Sequence, residues 1–180
     1  MFVKTLNAGQ ICLSPDYIMI KKGLEEKLIA ELQEVFKTFY PESNAGDYTS
    51  MVNDHHHQRM HDYLQDAKDK GAKIINLGEF DSSENNIVTT KVLLNVNDDM
   101  RVMKEEIFGP LLPVMVYEEL SEAVDYVNQH DHPLGLYFFG NKKSEQNFVI
   151  NNTRSGGVTI NDAMFHLSLI HISEPTRHRR

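Results

Sequence analysis

Two short runs carry the reactive chemistry legible in this chain. Its sole cysteine, Cys12, ends the run Asn7-Ala8-Gly9-Gln10-Ile11-Cys12. Far downstream comes Glu105-Glu106-Ile107-Phe108-Gly109-Pro110. A thiol attacks as thiolate, and a placed thiolate can add covalently to a carbonyl carbon. The oxyanion so formed needs donors, and the N–H of the cysteine itself can be one. Gly9 lets the preceding loop turn without a Cβ clash. The other reading of a lone cysteine is a small buried hydrophobe. No histidine lies within a few residues of Cys12, but the partners of a catalytic cysteine are commonly distant in sequence. In the second run an ionised carboxylate is acceptor-only and can take two hydroxyls, and an aromatic gives a rigid apolar wall. The alternatives there are a solvated acidic pair and a core aromatic before a Gly-Pro turn.

The elements that must position these runs follow from periodicity. Tyr17-Ile18-Met19-Ile20 reads as a short buried strand. Leu24, Leu28, Leu32, Val35 and Phe39 recur at helical spacing and predict a helix closed by Pro41. A second helix starts after Asp54 as N-cap, carries Met60, Leu64 and Ala67, and ends at Gly71. Strands are predicted at Ile74–Leu77, Ile87–Val96, Leu111–Tyr117, Leu136–Phe139 and Val158–Ile160. Leu120, Ala123, Val124 and Val127 mark a third helix, and Ser144 caps a fourth through Ile150. Strands alternating with helices predict an α/β fold: a mostly parallel sheet with helices on both faces.

Composition removes several function classes. The 180 residues are enough for one domain with a sizeable core. A formal net charge of −8 argues against a nucleic-acid partner, which needs a basic face. No apolar stretch approaches a membrane span, and Met1–Leu6 is not a secretory signal. One cysteine rules out an internal disulfide and a multi-cysteine metal site. A cytoplasmic protein is expected. His57 and His61 stand at i and i+4, a spacing that can bind metal. With no cysteine and no evident third ligand, the expectation is an exposed polar helix start and no metal. Met100, Met103 and Met115 read as core filler.

The run Asn7 to Cys12 resembles the Asn-x-Gly-Gln-x-Cys active-site segment of the aldehyde dehydrogenase superfamily. Its continuation Pro15-Asp16-Tyr17 resembles the branch with coniferyl aldehyde dehydrogenase and the class 3 fatty and aromatic aldehyde enzymes. Met103 to Pro113, Pro133 to Tyr137 and Ser155 to Asp162 resemble that branch in the same order. The resemblance implies that residues 1–168 are a C-terminal part of the family's catalytic domain. It implies Cys12 as nucleophile and its N–H in the oxyanion hole. It implies Glu106 on the nicotinamide-ribose hydroxyls and Phe108 beside the nicotinamide of NAD or NADP. The substrate would be a small-molecule aldehyde, oxidised to an acid through a thiohemiacetal and a thioester, and the parent enzyme would be a homo-oligomer. The family's nucleotide-binding sheet, oxyanion-hole asparagine and water-activating glutamate lie mostly ahead of the cysteine. The chain is therefore expected to be a sticky, weakly stable fragment with negligible dehydrogenase activity by itself. Residues 169–180 lack the family's glycine-rich continuation and read as a foreign or frame-shifted tail without fixed structure. A non-enzymatic remnant of the same fold and a cysteine-based acyl-transfer hydrolase are the competing functions.

Overall fold

A computed structural model describes residues 1–41 and 46–164. The expected tail lies outside the described residues, as do positions 165–168. The chain forms two compact units, Met1–Glu119 and the part from Leu120 onward.

The first unit contains α1 (Phe2–Thr5), a 3₁₀ turn (Leu6–Gly9), β1 (Ile18–Lys21), α2 (Glu25–Phe39), α3 (Asp54–Asp69), β2 (Lys73–Asn76), β3 (Lys91–Leu94), α4 (Arg101–Lys104) and β4 (Leu111–Tyr117). Its four-stranded sheet has the order β1-β4-β3-β2. The β1–β4 and β3–β4 pairs are parallel, and β2–β3 is antiparallel. Successive strand residues point to opposite faces of a sheet, and the core divides accordingly. Ile75, Val92, Leu112 and Val114 pack with Leu32 and Phe36 of α2. Ile74, Leu93 and Leu111 pack with Met60, Tyr63 and Ala67 of α3. The sheet is thus covered by a helix on each face, which is the fold class that the sequence pattern predicts. Phe36, Tyr40, Tyr48 and Phe80 form one aromatic cluster on the α2 side. The Tyr48 hydroxyl bonds to that of Thr90 at 2.8 Å, so its polar end is satisfied inside the core.

The second unit runs α5 (Leu120–Gln129), β5 (Leu136–Phe138), α6 (Lys143–Asn152) and β6 (Val158–Ile160). Strands β5 and β6 pair in parallel, joined by the α6 crossover. This is a small βαβ unit. Among the described residues no helix is long and apolar enough to cross a membrane.

Several local expectations are corrected. Asn53, not Asp54, caps α3. Its extended backbone lets Oδ1 accept from the His56 N–H at 3.0 Å. Asp54 is the first helical residue and accepts from Asn86 Nδ2 at 2.8 Å. Ser144 does not cap α6, which begins one residue earlier with no side-chain cap. The extended run expected over Ile87–Val96 pairs as a strand only over Lys91–Leu94: Ile87 makes an isolated bridge to Ser82, and past the strand Asn95 turns left-handed at φ 57°. His57, expected on an exposed helix start, is 8% exposed. Met100 is fully buried, as the core-filler reading requires.

Candidate active site

Cys12 stands exposed on the loop between the 3₁₀ turn and β1. The preceding backbone is unusual. Asn7, Ala8 and Gly9 all lie in the left-handed region, with φ of 52°, 52° and 74°. For Ala8 that conformation is strained, and such strain persists only where surroundings over-determine it. Here they do. Ala8 is fully buried in the core on the α2 side. Asn7 Nδ2 donates to the Gln10 carbonyl at 3.2 Å, and Gln10 N–H and Nε2 return bonds to the Asn7 carbonyl at 3.1 and 3.0 Å. Gln10 also ties the loop to a distant segment. Its Nε2 donates to the Ser50 carbonyl at 3.1 Å and its Oε1 accepts from the Val52 N–H at 3.0 Å.

The second run folds against the first. A Cβ placed on Gly9 would stand 2.3 Å from the Gly109 carbonyl oxygen. The glycine of the cysteine loop therefore lies directly on the glycine that follows Phe108. The turn at 106–109 is fixed from both sides. The Ile107 N–H donates to Asp16 Oδ1 at 3.2 Å. The Arg59 guanidinium donates to the Glu106 carbonyl at 3.1 Å and the Ile107 carbonyl at 2.6 Å. Ile107 is fully buried beneath, while Glu106 is exposed and Phe108 half-buried at φ 46°. A side chain held at positive φ on a clamped turn has little freedom to swing inward.

The two neighbouring acids divide their work. Glu105 accepts from Arg101 Nε at 2.9 Å and from the Tyr63 hydroxyl at 2.8 Å. The hydrogen bond from Arg101, with that from Tyr63, lowers its carboxyl pKa below the ordinary value. Tyr63 in turn lies between two guanidinium groups, Arg59 at 5.2 Å and Arg101 at 5.1 Å from its ring centre. Glu106 accepts no hydrogen bond among the described residues, so its lone pairs are open to solvent. We expect Glu105→Gln to lower folding stability by about 1 kcal/mol and Glu106→Gln to stay within about 0.5 kcal/mol of the parent. Urea denaturation of both variants checks this, and equal losses would refute the division.

One buried cation supports the loop from behind. Lys4 is 2% exposed and donates to the Pro15 carbonyl at 2.9 Å. Burial pulls its ammonium from 10.5 down to about 8, and Asp16 raises it only in part. Burial raises the Asp16 carboxyl, against the opposing pull of Lys4, the Ile107 N–H and Arg59. Between about 8 and 10.5 the unfolded chain holds a proton that folded Lys4 has shed, so stability rises with pH. From pH 8 to 10 the expected gain is on the order of 2 kcal/mol. Above the ordinary tyrosine value of 10.0 the slope reverses, because burial raises Tyr17, Tyr48 and Tyr63 and the folded chain then keeps protons the unfolded chain loses. Urea midpoints across this range should show the rise, and Lys4→Met should abolish it.

All three sequence-predicted site residues thus lie in the first unit, on two segments in backbone contact. Lys4, Asp16, Gln10 and Arg59 escaped assignment, although Gln10 and Asp16 sit inside the quoted motifs. Their roles are contacts across many residues of chain, and no local pattern encodes them.

Comparison with known proteins gives the family and the fold. Residues 1–170 match the aldehyde dehydrogenase family. A probable coniferyl aldehyde dehydrogenase of Pseudomonas aeruginosa is 45% identical over 168 residues, covering 93% of this chain and 35% of its own. The coniferyl aldehyde dehydrogenase of another Pseudomonas is 40% identical over 172 residues, covering 93% of this chain and 36% of its own. The substrate-bound structure of Staphylococcus aureus AldH superposes with a TM-score of 0.84 at 34% identity, covering 92% of this chain and 36% of that one. The chain therefore spans about a third of the length of the relatives it matches. With the order of its motifs, its sheet and its relatives in agreement over nearly the whole length, the chain belongs to the aldehyde dehydrogenase family.

Proposed function

We propose that this chain supplies the nucleophile and the nicotinamide-ribose clamp of an NAD(P)-dependent oxidation of aldehydes to carboxylic acids. The observation that carries this reading is the seating of Gly9 on Gly109, which joins the loop of an exposed thiol to the turn of an open carboxylate. Cys12 adds to the aldehyde carbon and forms a thiohemiacetal. Among the described residues the Cys12 N–H has no acceptor, so it can donate to the developing oxyanion. Glu106, open and acceptor-only, fits the ribose hydroxyls of the cofactor, and half-buried Phe108 gives an apolar wall beside its ring. NAD or NADP held by Glu106 and Phe108 would supply the hydride-accepting chemistry that takes the thiohemiacetal to a thioester on Cys12. The resulting Cys12 thioester is released by water as the acid.

The oxyanion-hole asparagine and the water-activating glutamate implied by the family resemblance belong to sequence ahead of the cysteine. The chain assayed by itself is therefore proposed to be acylated at Cys12 by an activated ester but to turn over aldehyde negligibly. Residues 1–168 act as part of the catalytic domain, in a cytoplasmic parent enzyme that is a homo-oligomer. The test uses the purified chain. With an aromatic aldehyde and NAD or NADP, absorbance of the reduced cofactor should not rise; substantial turnover would overturn the claim of inactivity. With p-nitrophenyl acetate, the chain should release one equivalent of p-nitrophenolate and gain one acetyl group on Cys12. Absence of that adduct would overturn the nucleophile.

A further inference from the structure

Helix α3 holds a pair of imidazoles that the reaction does not use. His57 and His61 stand one turn apart on one helical face. Their Nε2 atoms approach to 3.3 Å, with ring centres 4.6 Å apart and ring planes inclined at 68°. Two ring nitrogens this close share either a proton or a cation. At 3.3 Å the pair is within hydrogen-bond reach when one ring carries the proton, and the same spacing admits a cation once that proton is displaced. Tetrahedral zinc, with nitrogen ligands at about 2.0–2.1 Å, places two of them about 3.3–3.4 Å apart. His57 is 8% exposed and His61 half-buried, so the helix and its packing hold the rings before any metal arrives.

We propose that His57 and His61 form a two-imidazole clamp for a borderline divalent transition metal, zinc being the reference ion, with water completing the coordination. Imidazole suits this class and not magnesium or calcium, which select oxygen. Asp81, Lys91 and Asp62 also act electrostatically on His61. Asp81 is engaged by Lys91 at 2.6 Å, so it offsets charge without serving as a third ligand. Among the described residues no group of three histidine, cysteine or acidic side chains surrounds a cation site. Binding is therefore weak and exchangeable rather than structural. The same helix carries Arg59 between the two histidines, so occupancy would stiffen the turn from which Arg59 holds the Glu106 and Ile107 carbonyls.

The experiment titrates zinc chloride into the full chain carrying Cys12→Ala, at neutral pH, so that the thiol does not compete. Imidazole nitrogen resonances are followed. Those of His57 and His61 should shift together and ahead of the other histidines. Loss of one of the two ligands should weaken binding by about tenfold or more, since even outer-sphere partners of metal ligands are worth 10–100-fold. His61→Gln is the decisive variant because its site is half-exposed and tolerates change; His57→Gln is the companion. His55→Gln should leave the titration unchanged. First shifts at other histidines, or His61→Gln binding zinc as the parent does, would overturn the clamp.

Discussion

Cys12→Ser should abolish the stoichiometric acylation of this chain by p-nitrophenyl acetate, slowing p-nitrophenolate release by about a thousandfold or more, equivalent to ~4 kcal/mol of barrier. The substitution changes one atom and leaves the exposed loop free to keep its shape. What changes is the nucleophile. A thiol has an appreciable thiolate fraction near neutrality, and a serine hydroxyl has essentially no alkoxide without an adjacent base. The described surroundings of position 12 show no histidine bonded to it, so a serine there would have nothing to activate it. Intact-mass measurement beside the kinetics separates attack at Cys12 from hydrolysis elsewhere. If Cys12→Ser releases p-nitrophenolate as fast as the parent, the reactive centre is another residue and the proposed function fails.

Gly9→Ala should cost about 3 kcal/mol of folding stability or more and slow the acylation of Cys12 in whatever folded fraction remains. Two penalties combine. The position has φ 74°, where an L side chain is strained. The new methyl would also meet the Gly109 carbonyl oxygen at 2.3 Å, and that oxygen is backbone and cannot swing away. Relief requires the cysteine loop to lift from the 106–109 turn, and a displacement near 1 Å can cost on the order of a hundredfold in a positioned reaction. Gly23→Ala is the control. Its φ is 87° but nothing lies within 4 Å of a Cβ there, so only the backbone term of about 1 kcal/mol applies. Urea midpoints of the two variants decide the matter. Equal losses would mean that the contact with Gly109 is not what demands a glycine at position 9.

Cys12, Glu106 and Phe108 were singled out through the order of several short runs that resemble one family, and residue type alone did not separate them from the bland alternatives. The distinction between Glu105 and Glu106 was not legible. Both are acids in a polar turn, and only the arrival of Tyr63 and Arg101 removes one of them from solvent chemistry. Lys4 is a sharper case. A lysine two residues ahead of a turn reads as surface, yet it is buried against Pro15 and faces Asp16. His57 failed in the same way, since a run of three histidines looks solvated whichever ring turns inward.

The sequence by itself determined the alternation of strand and helix and the two-faced sheet, because hydrophobic period is written along the chain. It could not determine the Gly9–Gly109 seat, the Arg59 grip on two carbonyls or the Asp16 bond to Ile107. Those contacts join residues tens of positions apart, and they exist only once α3, β1 and β4 have packed on a common sheet. Tertiary packing alone decided which polar groups were satisfied and which, like the Glu106 carboxylate and the Cys12 thiol, were left exposed to solvent.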